Sequence, residues 1–271
     1  MVGVELQQIG LGHPRVKQVL DIQRNAVPNP RRLFVAEGLW AHNLVLETGA
    51  PVETFFWCPE AIYSDEARTR SEEIAARAYR AYRVSLKTME RLAERERPDG
   101  LVSIAQLPSW DPAQLRFGPE ALVLVADAVE IPGNLGTLIR SLDACAADCL
   151  VLTNRRTRLT HPKVLKGSQG TCLTVPSVEF DEVSDAIGWL RRSRFAVYLA
   201  DTDDARPYRA VDYRGRVAFV VGSERYGVSK AWYEPDFTRV AVPMLGRADS
   251  LNVSVSASIL LYEARAQQRG W

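Results

Sequence analysis

The sequence predicts an α/β protein in which a parallel-sheet unit follows a smaller α/β module. Three observations carry this. Strand and helix candidates alternate along nearly the whole chain, the strands beyond residue 120 are almost continuously apolar, and the regular pattern lapses between Leu107 and Pro112. Near-continuous apolar strands suit a parallel sheet covered on both faces, because such strands meet no water on either side.

The elements follow in order. Val16, Val19, Leu20 and Ile22 recur at helix-like intervals before the turn-forming Val27-Pro28-Asn29-Pro30. Leu33 to Ala36 reads as a short strand. After Glu37-Gly38, the spacing of Leu39, Ala41, Leu44, Val45 and Leu46 predicts a helix ended by Gly49-Ala50-Pro51. Val52 to Cys58 is a second strand. Ser71-Glu72-Glu73-Ile74 is expected to open a helix that keeps Ile74, Ala75, Ala78, Tyr79 and Tyr82 on one side. Leu86 to Glu96 reads as a short charged helix and Leu101 to Gln106 as a closing strand. These elements make a module spanning residues 1–107, with a linker over 108–119 and a second unit over 120–271. In that second unit the strands are expected at Ala121–Ala126, Cys149–Leu152, Ala196–Ala200, Val217–Val221 and Val240–Val242.

Composition excludes several classes. Thirty-four basic residues against 33 acidic ones leave a net charge of +1, so attraction for a polyanion must come from local clusters. No run of about 18 apolar residues is present to span a bilayer, and the opening twenty residues lack the order of a secretory signal. A cytoplasmic protein without membrane contact is the expectation. Cys58, Cys145, Cys149 and Cys172 include one C-x3-C pair but no matching second pair, so reduced structural thiols are expected and no metal. Cys145 and Cys149 lie either one helical turn apart or at a helix-strand junction. No G-x-G-x-x-G follows the first strand of the second unit, which counts against a dinucleotide-dependent oxidoreductase.

Three segments of the second unit carry the chemistry: Asn134-Leu135-Gly136-Thr137-Leu138-Ile139-Arg140, Gly222-Ser223-Glu224-Arg225-Tyr226-Gly227, and Pro243-Met244-Leu245-Gly246 running on to Ser250-Leu251-Asn252-Val253-Ser254-Val255. Each starts beside a predicted strand end, where parallel α/β sheets form their ligand crevices. Glycines at 222, 227 and 246 allow tight turns and close backbone approach. Glu224 is read either as a surface partner of Arg225 or Lys230 or as an orienting group. Asn134 caps a helix or orients Arg140 and Glu224. Ser250 and Asn252 form the cap and turn of the terminal helix, shape a pocket, or both.

This trio, in this order, resembles the three motifs of the SpoU (TrmH) family of RNA ribose 2′-O-methyltransferases in the SPOUT superfamily, over about Leu122 to Arg265. The first module resembles the ribosomal-protein-L30e-like substrate-binding domain of many family members, through Arg31-Arg32-Leu33-Phe34-Val35-Ala36-Glu37-Gly38. The resemblance implies a trefoil knot in the second unit and S-adenosylmethionine as cofactor. Its contacts would map onto Gly222, Val242 and Leu251, with Ala200, Asp201 and Met244 as neighbours. It also implies catalytic roles for Asn134, Arg140, Glu224, Ser250 and Asn252, and a homodimer in which a partner's Arg140 completes the site. In the family the arginine is proposed to help deprotonate the 2′-hydroxyl. Arginine stays protonated up to a pKa above about 12, so phosphate anchoring and stabilisation of a developing oxyanion stand beside that role.

Basic residues at Arg155, Arg156, Arg158, Lys163 and Lys166, and at Arg31 and Arg32 in the first module, are candidate contacts to the RNA backbone. The expected reaction is ribose methylation of ribosomal RNA, with 23S favoured, and transfer RNA is the neighbouring substrate. Some SpoU enzymes similar to this one confer antibiotic self-resistance. A catalytically silent RNA-binding or ribosome-assembly protein is the competing class.

Overall fold

The computed structural model describes residues 6–271. Two compact units are present: residues up to Pro108 together with Thr160–Pro162, and Ser109–Leu159 together with Lys163–Trp271.

The first unit contains β1 (Gln7–Ile9), α1 (Pro14–Gln23), β2 (Leu33–Glu37), α2 (Gly38–Thr48), β3 (Val52–Trp57), α3 (Asp65–Arg77), β4 (Arg80–Val84), α4 (Leu86–Leu92) and β5 (Leu101–Gln106). Its sheet has the order β1-β4-β3-β5-β2. β5 pairs antiparallel with both β2 and β3, while β4 runs parallel to β1 and β3. Phe56, Tyr82, Val102 and Ile104 from neighbouring strands share a core with Val16 and Val19 of α1. Burying side chains of this size stabilises by roughly 1.5–3 kcal/mol each.

Two helix expectations change here. α3 starts at Asp65, where the Ser64 hydroxyl accepts from Ala67 N, and it ends at Arg77. Tyr79 and Tyr82 therefore do not continue its face: Tyr79 N donates to Val52 O, and Tyr82 lies within β4. The sheet outcompetes the helical spacing because β3 already offers a parallel edge from Thr54 to Trp57. α4 stops at Leu92 rather than Glu96. Glu37 accepts from Glu94 N and Arg95 N, which turns the backbone out of the helix.

The second unit contains β6 (Leu122–Asp127), α5 (Pro132–Ala144), β7 (Cys149–Thr153), α6 (Pro162–Gly167), β8 (Ser177–Glu179), α7 (Val183–Arg192), β9 (Ala196–Ala200), β10 (Arg206–Pro207), β11 (Val217–Val221), β12 (Thr238–Ala241) and α8 (Val253–Arg269). Its seven strands are ordered β10-β12-β9-β11-β6-β7-β8, and every pairing is parallel. β6, β7 and β11 are buried at every residue, as their apolar runs predict. Trp189, Phe195, Val197 and Trp232 pack with Val123, Val125 and Val220 on one face.

α8 is anchored to the α5–β7 turn and to the segment before β6 by Arg265, which is only 5% exposed. Its guanidinium donates to the carbonyls of Cys145, Glu120 and Ala146 and to Gln268 Oε1, so the buried charge is solvated by peptide dipoles. Ser141 of α5 and Ser258 of α8 share a hydroxyl-hydroxyl bond of 2.7 Å where those helices pack. All four cysteines are buried free thiols, with Cys145 capping α5 and Cys149 opening β7.

Candidate active site at the strand ends

The parallel register lines up the carboxyl ends of five neighbouring strands. Val240 of β12 stands opposite Ala200 of β9, Val220 of β11 opposite Leu199 of β9, Val221 opposite Ala126 of β6, and Asp127 opposite Thr153 of β7. The segments that continue these strands, at Asp201, Gly222, Val242 and Asn154, therefore emerge side by side. Ala200, Asp201, Val242 and Met244 are half-buried there.

Gly222 is buried and opens a tight turn. A Cβ at this position would lie 2.0–2.2 Å from the Gly227 carbonyl and Val228 N, so only hydrogen fits. Ser223 and Gly227 exchange both backbone bonds, at 3.0 and 2.9 Å, closing the turn on itself. Ser223 Oγ accepts from Arg225 N and Tyr226 N. The turn thereby holds Glu224 outward on a rigid backbone.

Glu224 does not pair with Arg225 or Lys230. Its Oε1 accepts from Asn134 Nδ2 at 2.6 Å and its Oε2 from Glu130 N at 3.4 Å. Asn134 Oδ1 accepts in turn from Asn252 Nδ2 at 3.1 Å. Asn252 then accepts from Ser254 N and Ser254 Oγ and caps α8. A continuous polar chain thus joins all three motifs, and each amide orientation is set by its neighbours. Asn134 does not cap α5, because Ile131 holds that position. Its side chain is used for the network instead. Ser250 is exposed and joins none of these bonds among the described residues.

Arg140 lies on α5, two helical turns beyond the helix start, and is exposed. Its guanidinium has no ion-pair partner among the described residues, so its charge is available to an incoming anion. Lys166 is an exposed residue of α6. In the first unit Arg31 pairs with Glu53 at 3.1 Å, sharing that carboxylate with Arg15, and Arg32 is half-buried. Leu251 is half-buried just before the α8 cap, while Leu245 is 98% exposed.

Asp127 was not among the candidates read from the sequence. This carboxylate is fully buried at the end of β6. Oδ1 accepts from Thr153 Oγ1 at 2.9 Å and Asn154 Nδ2 at 2.7 Å, and Oδ2 from Ser229 N at 2.8 Å. It fastens the foot of the Glu224 turn to two strand ends. The available signal was a lone carboxylate closing the apolar run Leu-Val-Leu-Val-Ala. Asp201 has a comparable local role: Oδ2 accepts from the Tyr233 hydroxyl at 2.8 Å, Oδ1 from Thr202 N and Asp203 N. Burial and the Asp201 charge push the Tyr233 phenol up to about 12.

An all-parallel sheet with a polar network and glycine turn at its carboxyl edge is the layout of an α/β enzyme, a class whose ligand crevices form at the strand ends. Residues 121–262 match the model of the SpoU rRNA Methylase family, and residues 13–103 match that of the MRM3-like substrate binding domain. The chain belongs to the SpoU rRNA methylase family. It is 31% identical to the Bacillus subtilis 23S rRNA (guanosine(2553)-2′-O)-methyltransferase RlmP over 76% of this chain and 80% of that protein. It is 28% identical to the Streptomyces viridochromogenes 23S rRNA (uridine(2479)-2′-O)-methyltransferase, over 87% and 83% of the two chains. The crystal structure of an AdoMet-bound rRNA methyltransferase from Sinorhizobium meliloti superposes with a TM-score of 0.84 over 96% of this chain and 97% of that one, at 24% identity.

Proposed function

We propose that this protein methylates a ribose 2′-hydroxyl of 23S ribosomal RNA with S-adenosylmethionine as donor. The observation that carries the reading is the hydrogen-bonded chain Glu224–Asn134–Asn252, which ties the three family motifs into one locus, while Arg140, further along α5, has no ion-pair partner among the described residues. Similarity to two 23S rRNA 2′-O-methyltransferases supports the substrate.

The strand ends suit the donor. Val242, Met244 and Leu251 are half-buried apolar residues fit for the faces of an adenine, and the glycine turn at Gly222 lets backbone approach closely. Bound there, the donor would supply an electrophilic methyl group on a sulfonium sulfur. Everything else falls to the chain's own groups. Asn134 and Asn252 orient the Glu224 carboxylate. Arg140 anchors an RNA phosphate and stabilises charge developing on the ribose oxygen; an exposed guanidinium remains protonated and is a poor base. Lys166, Arg31 and Arg32 engage the RNA backbone, and Ser250 contacts substrate rather than the network.

The family resemblance supports two further features: a trefoil knot in the second unit that brings the loops near Gly222, Pro243 and Ser250 together, and a cytoplasmic homodimer in which one protomer's Arg140 serves its partner's site. Among the described residues no helix is long and apolar enough to cross a membrane.

The test is transfer of labelled methyl groups to purified 23S rRNA and to transfer RNA, followed by nucleoside analysis. Label on a 23S ribose is expected. In single-turnover assays Arg140→Ala should lower the rate by about 10²–10³, the range for removing one oxyanion-stabilising donor, with unchanged thermal unfolding. Label on a base, or near-normal turnover by Arg140→Ala, overturns the assignment. Antibiotic susceptibility with and without the gene separates self-resistance from rRNA maturation.

A further inference from the structure

The polar network uses Glu224 and leaves the outer half of the same turn without a role. Arg225 and Tyr226 stand there. Tyr226 is 72% exposed, yet its backbone is held: Ser223 Oγ accepts from its N–H and from that of Arg225, both at 3.2 Å, between the paired ends Ser223 and Gly227. The foot of the turn is secured to the core through Ser229 N and the buried Asp127. The Arg225 guanidinium lies over the Tyr226 ring, 5.1 Å from its centroid, and has no carboxylate partner among the described residues.

An aromatic ring on a fixed backbone, beside an available cation and on the same five-residue turn as Glu224, has the chemistry of a nucleobase platform. Bases offer flat π-faces that stack on tyrosine, and an arginine alongside adds cation–π attraction or takes the adjoining phosphate. Specific RNA recognition mostly targets loops, bulges and ends whose bases splay out of the stack, so a ribose taken at Glu224 from such a segment brings an unstacked base with it. Two residues along the turn, Tyr226 is placed to receive that base.

We propose that Arg225 and Tyr226 form a stacking site for an unstacked RNA base at or next to the target nucleotide. The proposal rests on the RNA-methylation reading. Stacking tolerates any base, so the site contributes affinity and placement rather than base identity.

The experiment compares Tyr226→Ala and Tyr226→Phe with the wild-type full chain. With 23S rRNA as substrate, Tyr226→Ala should raise the RNA KM about tenfold, in keeping with one lost base-aromatic stack, while donor affinity and thermal unfolding stay at wild-type values. Tyr226→Phe keeps the ring and should stay within about twofold of wild type, since stacking uses the π-face rather than the hydroxyl. An unchanged KM for Tyr226→Ala, or an equal loss in Tyr226→Phe, overturns the site. Fluorescence anisotropy with a labelled single-stranded RNA decamer is the second readout. If the wild type methylates no RNA, the functional reading fails, and the decamer still decides: weaker binding by Tyr226→Ala sustains the platform, whereas equal or absent binding by the two proteins removes it.

Discussion

His42 shows how a single side chain couples the fold to pH. It is fully buried in α2, its Nδ1 within 2.8 Å of the Gly38 carbonyl and its Nε2 within 2.8 Å of Ser103 Oγ. Burial disfavours the imidazolium and lowers the pKa to about 4, against 6.5 for the free side chain. The unfolded chain therefore binds a proton between those values that the folded chain refuses. Stability from this group is complete above about pH 6.5 and is lost as the pH falls towards 4, by up to about 3 kcal/mol. Denaturant unfolding at pH 7 and pH 4.5 should show the loss, and His42→Gln should reduce the difference between the two. An equal pH effect in the variant would place its source elsewhere. At this scale three members of the polar network, Asn134, Glu224 and Asn252, were legible from their strings, and the structure joins them. Asp127 was not. Its importance comes from three partners at positions 153, 154 and 229, which no local pattern brings together.

Among the elements, the turn after β11 is the most constrained. Gly222→Ala would place a methyl group 2.0 Å from the Gly227 carbonyl carbon, and the obstacle is backbone, which cannot rotate away. The turn must open, breaking the Ser223–Gly227 pair and moving Glu224 from Asn134. The expected result is a loss of about 1–3 kcal/mol in stability, the usual cost of overpacking, with methyl transfer abolished. Chemical denaturation and a transfer assay check it; a fully active Ala variant would show that the turn has slack. Element legibility divides by burial. β6, β7, β9 and β11 read clearly because both faces are apolar. β1, β8 and β10 are only two or three residues long, too short for any periodicity, and exist because a neighbouring edge pairs them. β4 was hidden because Tyr79 and Tyr82 extend the helical spacing of α3, and only the edge of β3 distinguishes the alternatives.

For the molecule as a whole, two units with separate cores predict separable functions. A fragment lacking residues 1–108 should fold, bind the methyl donor with near-wild-type affinity, and bind 23S rRNA at least about tenfold more weakly, since the removed unit matches a substrate binding domain and carries the proposed backbone contacts Arg31 and Arg32. Calorimetry with the donor and filter binding with the RNA test the two halves of that expectation. Retained RNA affinity would remove the first unit from substrate binding. The α/β character of the chain was readable from its alternation of strand and helix candidates. The strand order was not, because β9 lies between β11 and β12 although both follow it in the chain.

That order has a consequence for the protein's first moments. Asn134 meets Glu224 across 90 residues and Asn252 across 118. During synthesis the amide is made well before Glu224, and Asn252 at the start of α8 follows later still. The polar network is therefore among the last features of the fold to close, however early its middle member is made.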